Sequence, residues 1–245
     1  MKLTGAAEIA VGSIIVSRTG RQLKTRESPL DWSPAVIAIA EALLCGTRAT
    51  VSATGAATGL SSGSCTHALR VLTGLGLLES DAKRGRDSAR RISDHDQFLT
   101  AYATVVESLP GPVSLQVGVL WRDPVAGLVE TGTQWDRAGV EWAATGVTAA
   151  SVMAPYISGV TVTEVYVDAG SIVGLEAVAA DAGLAPVEGG RLTLKTFPTV
   201  AVRRLTRNMN GLRVAPWPRV YADLRTSGVR GEEAAEHLRE VFLAG

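Results

Sequence analysis

The chain has 245 residues, with 24 Lys and Arg against 24 Asp and Glu, so its formal charge at neutral pH is zero, and 46% of its residues are hydrophobic. That balance is ordinary for a globular protein with room for one large domain or two modest ones. It excludes a histone-like basic protein, an acidic disordered tail, a collagen or coiled-coil fibre and a disulfide scaffold.

Cys45 and Cys65 are the only cysteines, too few for a framework and without metal-ligand spacing. Both read as reduced thiols of a cytoplasmic protein, and no metal or other cofactor is expected. The first ten residues place one Lys and then Glu8 before any apolar run, the wrong order for a signal peptide. The longest uncharged stretch, 142–163, is broken by Gly146, Pro155 and Gly159 and diluted by Thr and Ser, so no membrane partner is expected. Positive charge arrives as 20 Arg against 4 Lys, which favours planar forks suited to phosphate and carboxylate. The net zero conceals two halves of opposite sign: 12 basic against 9 acidic residues up to Asp96, then 12 against 15.

In chain order, residues 1–30 read as a short extended module: an Ile- and Val-rich strand over 8–17, a turn at Thr19-Gly20 and a polar segment over 21–27. Residues 31–96 carry a more specific pattern. Ser33 caps a helix with Pro34 in its first position, and Ala35, Ile39, Ala42 and Leu43 recur at helical spacing up to Gly46. Thr50 caps a short Ala-rich helix to Ala57, residues 58–61 form a tight turn, and Ser62 opens a third helix with an apolar stripe of Cys65, Ala68, Leu69 and Leu72. Gly74 and Gly76 end it, and strands over 77–79 and 88–92 flank a basic loop over 81–87. Helix, helix, turn, helix and basic hairpin is the order of a winged helix-turn-helix.

If the stripe of the third helix faces the core, its opposite face presents Ser62, Gly63, Ser64, Thr66, His67 and Arg70. Small groups at the first turn permit close approach to a major groove, and longer donors can reach base edges or phosphate. Lys83, Arg84, Arg86 and Arg90 of the hairpin would lie along the neighbouring backbone or minor groove, adding affinity with little sequence information. These residues form the expected contact set for double-stranded DNA. The competing reading is a solvated helix face beside a solubilising turn.

Catalytic patterns fare less well. Gly59-Leu60-Ser61-Ser62-Gly63 fits the G-x-S-x-G nucleophile elbow, but the residues before it have helical spacing where an elbow needs a buried strand. Asp94-His95-Asp96 matches an Asp-x-Asp metal pair, yet Asp94 is better placed to cap a helix over 96–108 that stops at Pro110-Gly111-Pro112. Asp168-Ala169-Gly170-Ser171 could set helix amides against an anion, with Ser171 as a plain cap the simpler reading. Gly74-Leu75-Gly76 is half a dinucleotide fingerprint, and His67, His95 and His237 are scattered. No catalytic constellation survives, and the chain is not expected to be an enzyme.

Residues 97–245 alternate. An apolar segment over 113–121 is followed by a helix over 124–137, a strand over 140–144, a short helix over 148–154, a strand over 160–167 and a helix over 172–182. A hairpin near Glu188-Gly189-Gly190, a strand over 191–197 and helices over 218–226 and 232–243 complete the pattern. Connections are too short for a doubly wound sheet throughout, so the fold class is α+β, an N-terminal winged helix-turn-helix followed by a mixed α/β C-terminal domain.

Trp142-Ala143-Ala144-Thr145-Gly146 with Ala149-Ala150, the strand ending Tyr166-Val167-Asp168, and the ending Pro218-Arg219-Val220-Tyr221-Ala222-Asp223-Leu224, Ser227-Gly228, Arg230 and Glu233-Ala234-Ala235-Glu236-His237-Leu238 together resemble AbiEi-like antitoxins of type IV toxin-antitoxin systems. The resemblance implies a transcriptional autorepressor on inverted repeats, whose second domain counteracts a nucleotidyltransferase-type toxin without requiring a stable complex. A palindromic operator would suit a homodimer, although a winged helix can also bind as a monomer. Residues 1–30 depart from the common pattern, and no Asp with a following Glu-x-Lys supports the cleavage found where relatives carry a nuclease-like region there. Within the closing segment, Arg219 and Asp223 are spaced to pair at i, i+4, and the tetrapeptide from Tyr221 to Leu224 reads as packing for the terminal helices. Two other functions fit the same sequence: a nucleotidyltransferase-like enzyme acting on nucleic acid, and a winged-helix regulator that senses a ligand.

Overall fold

The computed structural model of the protein describes residues 6–11, 14–19, 32–80, 90–156 and 162–244. It is an α+β structure in which three helices and a small hairpin precede a six-stranded mixed sheet with its own helices.

Strands β1 (Ala6–Val11) and β2 (Ile14–Thr19) pair antiparallel, with Val11 opposite Ile14. The expected extended pair is therefore present, but its reversal falls within the 8–17 run, and the turn expected at Thr19-Gly20 is displaced because Thr19 is paired with Ala6. The polar segment over 21–27 lies outside the described residues.

Helix α1 (Pro34–Leu44) starts where Ser33 accepts a hydrogen bond from the Val36 amide and Pro34 supplies its fixed φ. Every residue from Val36 to Leu44 is buried, Glu41 among them. A helix apolar on all sides belongs at the centre of a protein, and α1 packs on five helices. These are α2 (Val51–Thr58), α3 (Ser62–Gly74), α4 (His95–Ser108), α8 (Val200–Arg204) and α9 (Trp217–Arg225). Helix α2 (Val51–Thr58) is capped by Thr50, and ends at Gly59, whose φ of 75° reverses the chain into α3. Strands β3 (Leu78–Ser80) and β4 (Arg90–Ile92) form the hairpin, with Leu78 opposite Ile92 and Ser80 opposite Arg90. Ala49 bridges to Arg90, tying the hairpin to the approach to α2.

The six-stranded sheet comprises β5 (Ser114–Val117), β6 (Trp142–Thr145), β7 (Thr163–Val167), β8 (Leu192–Thr196), β9 (Arg207–Met209) and β10 (Leu212–Val214). Its order is β5-β8-β7-β6-β10-β9, parallel at β7/β8 and β6/β10 and antiparallel elsewhere. Helices α5 (Pro124–Ala138) and α7 (Ile172–Asp181) pack on each other, and buried Trp135 of α5 donates its indole N–H to the Val178 carbonyl. A second group joins α6 (Gly146–Met153), α9 and α10 (Val229–Leu243), with α9 also lying on α4. One continuous apolar cluster runs from Trp32 to Leu238, so the winged-helix helices and the sheet share buried contacts.

One expectation needs correction in this half. Glu188-Gly189-Gly190 makes no hairpin with the strand after it: Pro186 bridges Val117, Gln116 accepts from the Gly189 amide, and β8 pairs antiparallel with distant β5. Between β8 and α9, where the sequence pattern named no element, lie α8 and the β9/β10 hairpin, whose turn places Asn210 at φ 53° before Gly211. These strands are only three residues long, too short to show a period in sequence.

Candidate nucleic-acid interface

The helix-turn-helix is built by three hydroxyl caps. Thr50 Oγ1 accepts from the Ala53 amide, the Thr58 hydroxyl accepts from the Leu60 amide in the turn, and Ser61 Oγ accepts from the Ser64 amide at the start of α3. The G-x-S-x-G string thus spans a turn between two helices, with no strand before it.

On α3, Cys65, Ala68, Leu69 and Leu72 are wholly buried, and Ser62, Gly63, Thr66, His67 and Arg70 are exposed. Ser64 is half-buried, and its hydroxyl lies 3.0 Å from that of Ser61. Thr66 spends its hydroxyl proton on the Ser62 carbonyl at 2.8 Å, which leaves its oxygen lone pairs and methyl group outward. His67 and Arg70 are therefore the long polar side chains of this face.

At the hairpin, Arg91 forks onto Glu79 Oε2 at 2.9 and 2.7 Å and locks the two strands together. Arg90 sits half-buried at the strand root opposite Ser80, so it is positioned less openly than a loop-tip cation. Lys83, Arg84 and Arg86 lie outside the described residues.

The fold adds one cation that sequence spacing could not place here. Arg204, in α8, lays its guanidinium against Gly59 and donates to the Ala56 carbonyl at 3.5 Å, so it stands beside the turn that launches α3. Its separation from this turn by more than a hundred residues hides it from any local pattern.

A second constellation lies beneath the interface and was also missed. Glu41 of α1 accepts the Tyr102 hydroxyl at 2.7 Å and the Thr199 hydroxyl at 2.9 Å. Nearby, Asp223 accepts from Arg219 Nε at 3.0 Å, from the Tyr166 hydroxyl at 2.6 Å and from Thr145. The i, i+4 pairing of Arg219 with Asp223 is as expected, but it is buried, with both side chains 8% exposed. Burial raises the Glu41 carboxyl above its ordinary value, opposed by the charge of Arg219 and by the Tyr102 and Thr199 hydroxyls. Burial likewise pushes the Tyr102 and Tyr166 phenols well up. For Arg219, burial disfavours the cation, but Asp223 and Tyr166 outweigh it and hold the guanidinium charged. Sealed from solvent, this cluster ties α1, α4, α8, α9 and the sheet together. Besides the Arg219 and Asp223 spacing, its sequence signal was a lone carboxylate inside the apolar run of α1.

The remaining sequence candidates have structural roles. Asp94 caps α4 through the Gln97 amide, Asp96 pairs with Arg239 at 3.0 Å, and Ser171 caps α7 through the Gly174 amide. Burial pushes the Cys45 thiol up to about 12, which suits an unreactive thiol. Among the described residues no group of three or more His, Cys, Asp or Glu is placed to hold a metal, and no helix is long and apolar enough to cross a membrane. No protein-family model, curated protein or solved structure matches the chain.

Proposed function

We propose that the protein is a DNA-binding transcriptional autorepressor that acts as the antitoxin of a type IV toxin-antitoxin system. The observation that carries the DNA-binding part is the division of α3, where an unbroken buried stripe backs an exposed face of Ser62, Thr66, His67 and Arg70. Such a helix, beside a turn capped for tight reversal and a two-stranded hairpin, presents groove-sized polar chemistry on a rigid base. Arg204 supports the reading by adding a cation at the same edge. The antitoxin part rests on the resemblance carried by residues 142–168 and 218–238, with a nucleotidyltransferase-type toxin as the functional partner.

Fluorescence anisotropy with duplexes from the region upstream of the gene, titrated at several salt concentrations, tests the first part. Arg70→Ala is expected to cost about 1–3 kcal/mol on the cognate duplex alone if it reads a base. Changing Arg84 and Arg86 together is expected to weaken binding to every duplex and to flatten the salt dependence by about one unit per lost phosphate contact. Unchanged affinity in both variants ends the DNA-binding reading. Co-expression with the neighbouring gene product tests the second: growth rescue is expected, and no rescue ends the antitoxin reading.

A further inference from the structure

Between the winged-helix half and the sheet lies a cleft of about 420 Å³, within the usual size of a small-molecule site. Ala35 and Ala38 of α1 and Leu60 of the helix-turn-helix turn form one wall. The other is formed by Phe197 and Asp168, at the carboxyl ends of the parallel neighbours β8 and β7, together with Arg203 of α8. The carboxyl ends of parallel strands are where α/β sheets commonly receive ligands.

The lining is mostly apolar, the hydroxyl protons of its two threonines, Thr58 and Thr199, being already donated elsewhere, and its charged groups are Asp168 and Arg203. Arg203 is the lining cation, and it is already engaged by two carboxylates, Glu141 at 2.8 Å and Asp168 Oδ2 at 2.9 Å. Asp168 Oδ1 accepts no hydrogen bond among the described residues. Arg204 is turned away onto Gly59 and the Ala56 carbonyl. Asp168, its side chain 55% exposed, thus stands at the mouth of a slot whose aromatic wall, Phe197, is held in place by stacking on buried Tyr166 at 5.8 Å.

We infer that this cleft is a binding site for a small primary amine with an aromatic or branched aliphatic body, its ammonium on Asp168 and its apolar part between Ala35, Ala38, Leu60 and Phe197. The ammonium pairs with the Asp168 carboxylate at the mouth, and the body fills a space that alanines leave open on α1. A carboxylate ligand meets Asp168 instead and finds Arg203 already paired with two carboxylates. Because the walls come from both halves of the chain, the occupant is an effector of operator affinity; that role, though not the site itself, rests on the DNA-binding reading.

The experiment is a titration of the full chain with phenethylamine, followed by ¹H–¹⁵N chemical shifts without DNA. Saturable shifts centred on Ala35, Ala38, Leu60, Asp168 and Ala169 are expected. With 2-phenylethanol the affinity is expected to fall at least about tenfold, the scale of one charged hydrogen bond, and 3-phenylpropionate is expected not to bind. Asp168→Asn should reproduce the tenfold loss, and Ala35→Phe, which fills the slot from a half-buried position, should abolish binding with the melting transition kept. Scattered or unsaturable shifts, equal binding of the acid and the amine, or indifference to both substitutions would overturn the site. Unaltered duplex affinity at saturating phenethylamine would overturn the effector role alone, whereas loss of duplex binding without any amine would fault the DNA-binding reading instead.

Discussion

Thr199, the capping residue of α8, donates its hydroxyl to Glu41 Oε2 at 2.9 Å, joining the central helix of the winged-helix half to the sheet half. The same Thr199 hydroxyl oxygen accepts from the Val202 amide, so one side chain both starts α8 and satisfies a buried carboxyl. Thr199→Val keeps the shape but leaves Glu41 one donor short. A loss of about 1–3 kcal/mol is expected, the cost of a buried polar atom left unpaired, and urea unfolding measures it.

Glu41 itself should give stability a pH dependence. Burial raises its folded-state value above the ordinary 4.5, so the folded protein holds this proton more tightly than the unfolded chain. Its contribution is therefore complete below about 4.5 and drains away as pH rises through the folded-state value. Glu41→Gln does not titrate, so the stability of the variant relative to the parent is expected to improve as pH rises above about 4.5 and to level off once the folded-state value is passed. Parallel denaturation curves across that range would contradict the assignment.

Removing one partner of the Arg219 and Asp223 pair is expected to be severe. In Arg219→Met the Asp223 carboxylate stays buried among Thr145 and Tyr166 with no cation, and the expected cost is about 3–5 kcal/mol. Adding Asp223→Asn removes the stranded charge and should restore part of the loss. Calorimetric melting of the single and double variants makes the comparison.

Two helical glycines should respond to alanine with opposite signs. An added Cβ at Gly132 of α5 runs into the Trp142 indole, so Gly132→Ala is expected to destabilise by about 1–3 kcal/mol through overpacking. At Gly74, the last residue of α3, nothing lies within 4 Å, and alanine is expected to stabilise by up to about 1 kcal/mol. Melting temperatures of the two variants check both signs.

Gly59→Ala combines a left-handed φ of 75° with a guanidinium 3.1 Å from the new carbon, and about 1–2 kcal/mol of instability is expected. Arg204→Ala leaves the turn intact. It is expected to weaken binding to all duplexes alike and to lower the salt slope by about one unit; an unchanged slope would place Arg204 outside the interface.

The elements carrying strong local chemistry could be read directly from sequence. Ser33-Pro34, Thr50, Asp94 and Ser171 each announce a helix start by a hydroxyl or carboxylate placed before it, and all four accept the amide hydrogen bonds of a cap. The stripe of Cys65, Ala68, Leu69 and Leu72 fixed which face of α3 could be polar. What escaped reading depends on partners far away in sequence. The second strand of the N-terminal pair looked continuous with the first because both are Ile- and Val-rich. Strands β9 and β10 are shorter than any usable period, and Glu41 and Arg204 take their hydrogen-bond partners from residues 61 to 158 positions away. Pairing of β8 with β5 rather than with the residues just before it is a topological outcome that local turn chemistry at Gly189-Gly190 could not disclose.

The flanks of the six-stranded sheet bear on how the protein survives crowding. One flank is β9, three residues long with Arg207 and Asn208 outward; the other is β5, four residues preceded by Pro112. Neither offers a foreign chain a long, flat, uncharged template on which to zip. Self-association by strand addition is thereby discouraged at both ends of the sheet, and a copy that opens transiently can close again without recruiting its neighbours.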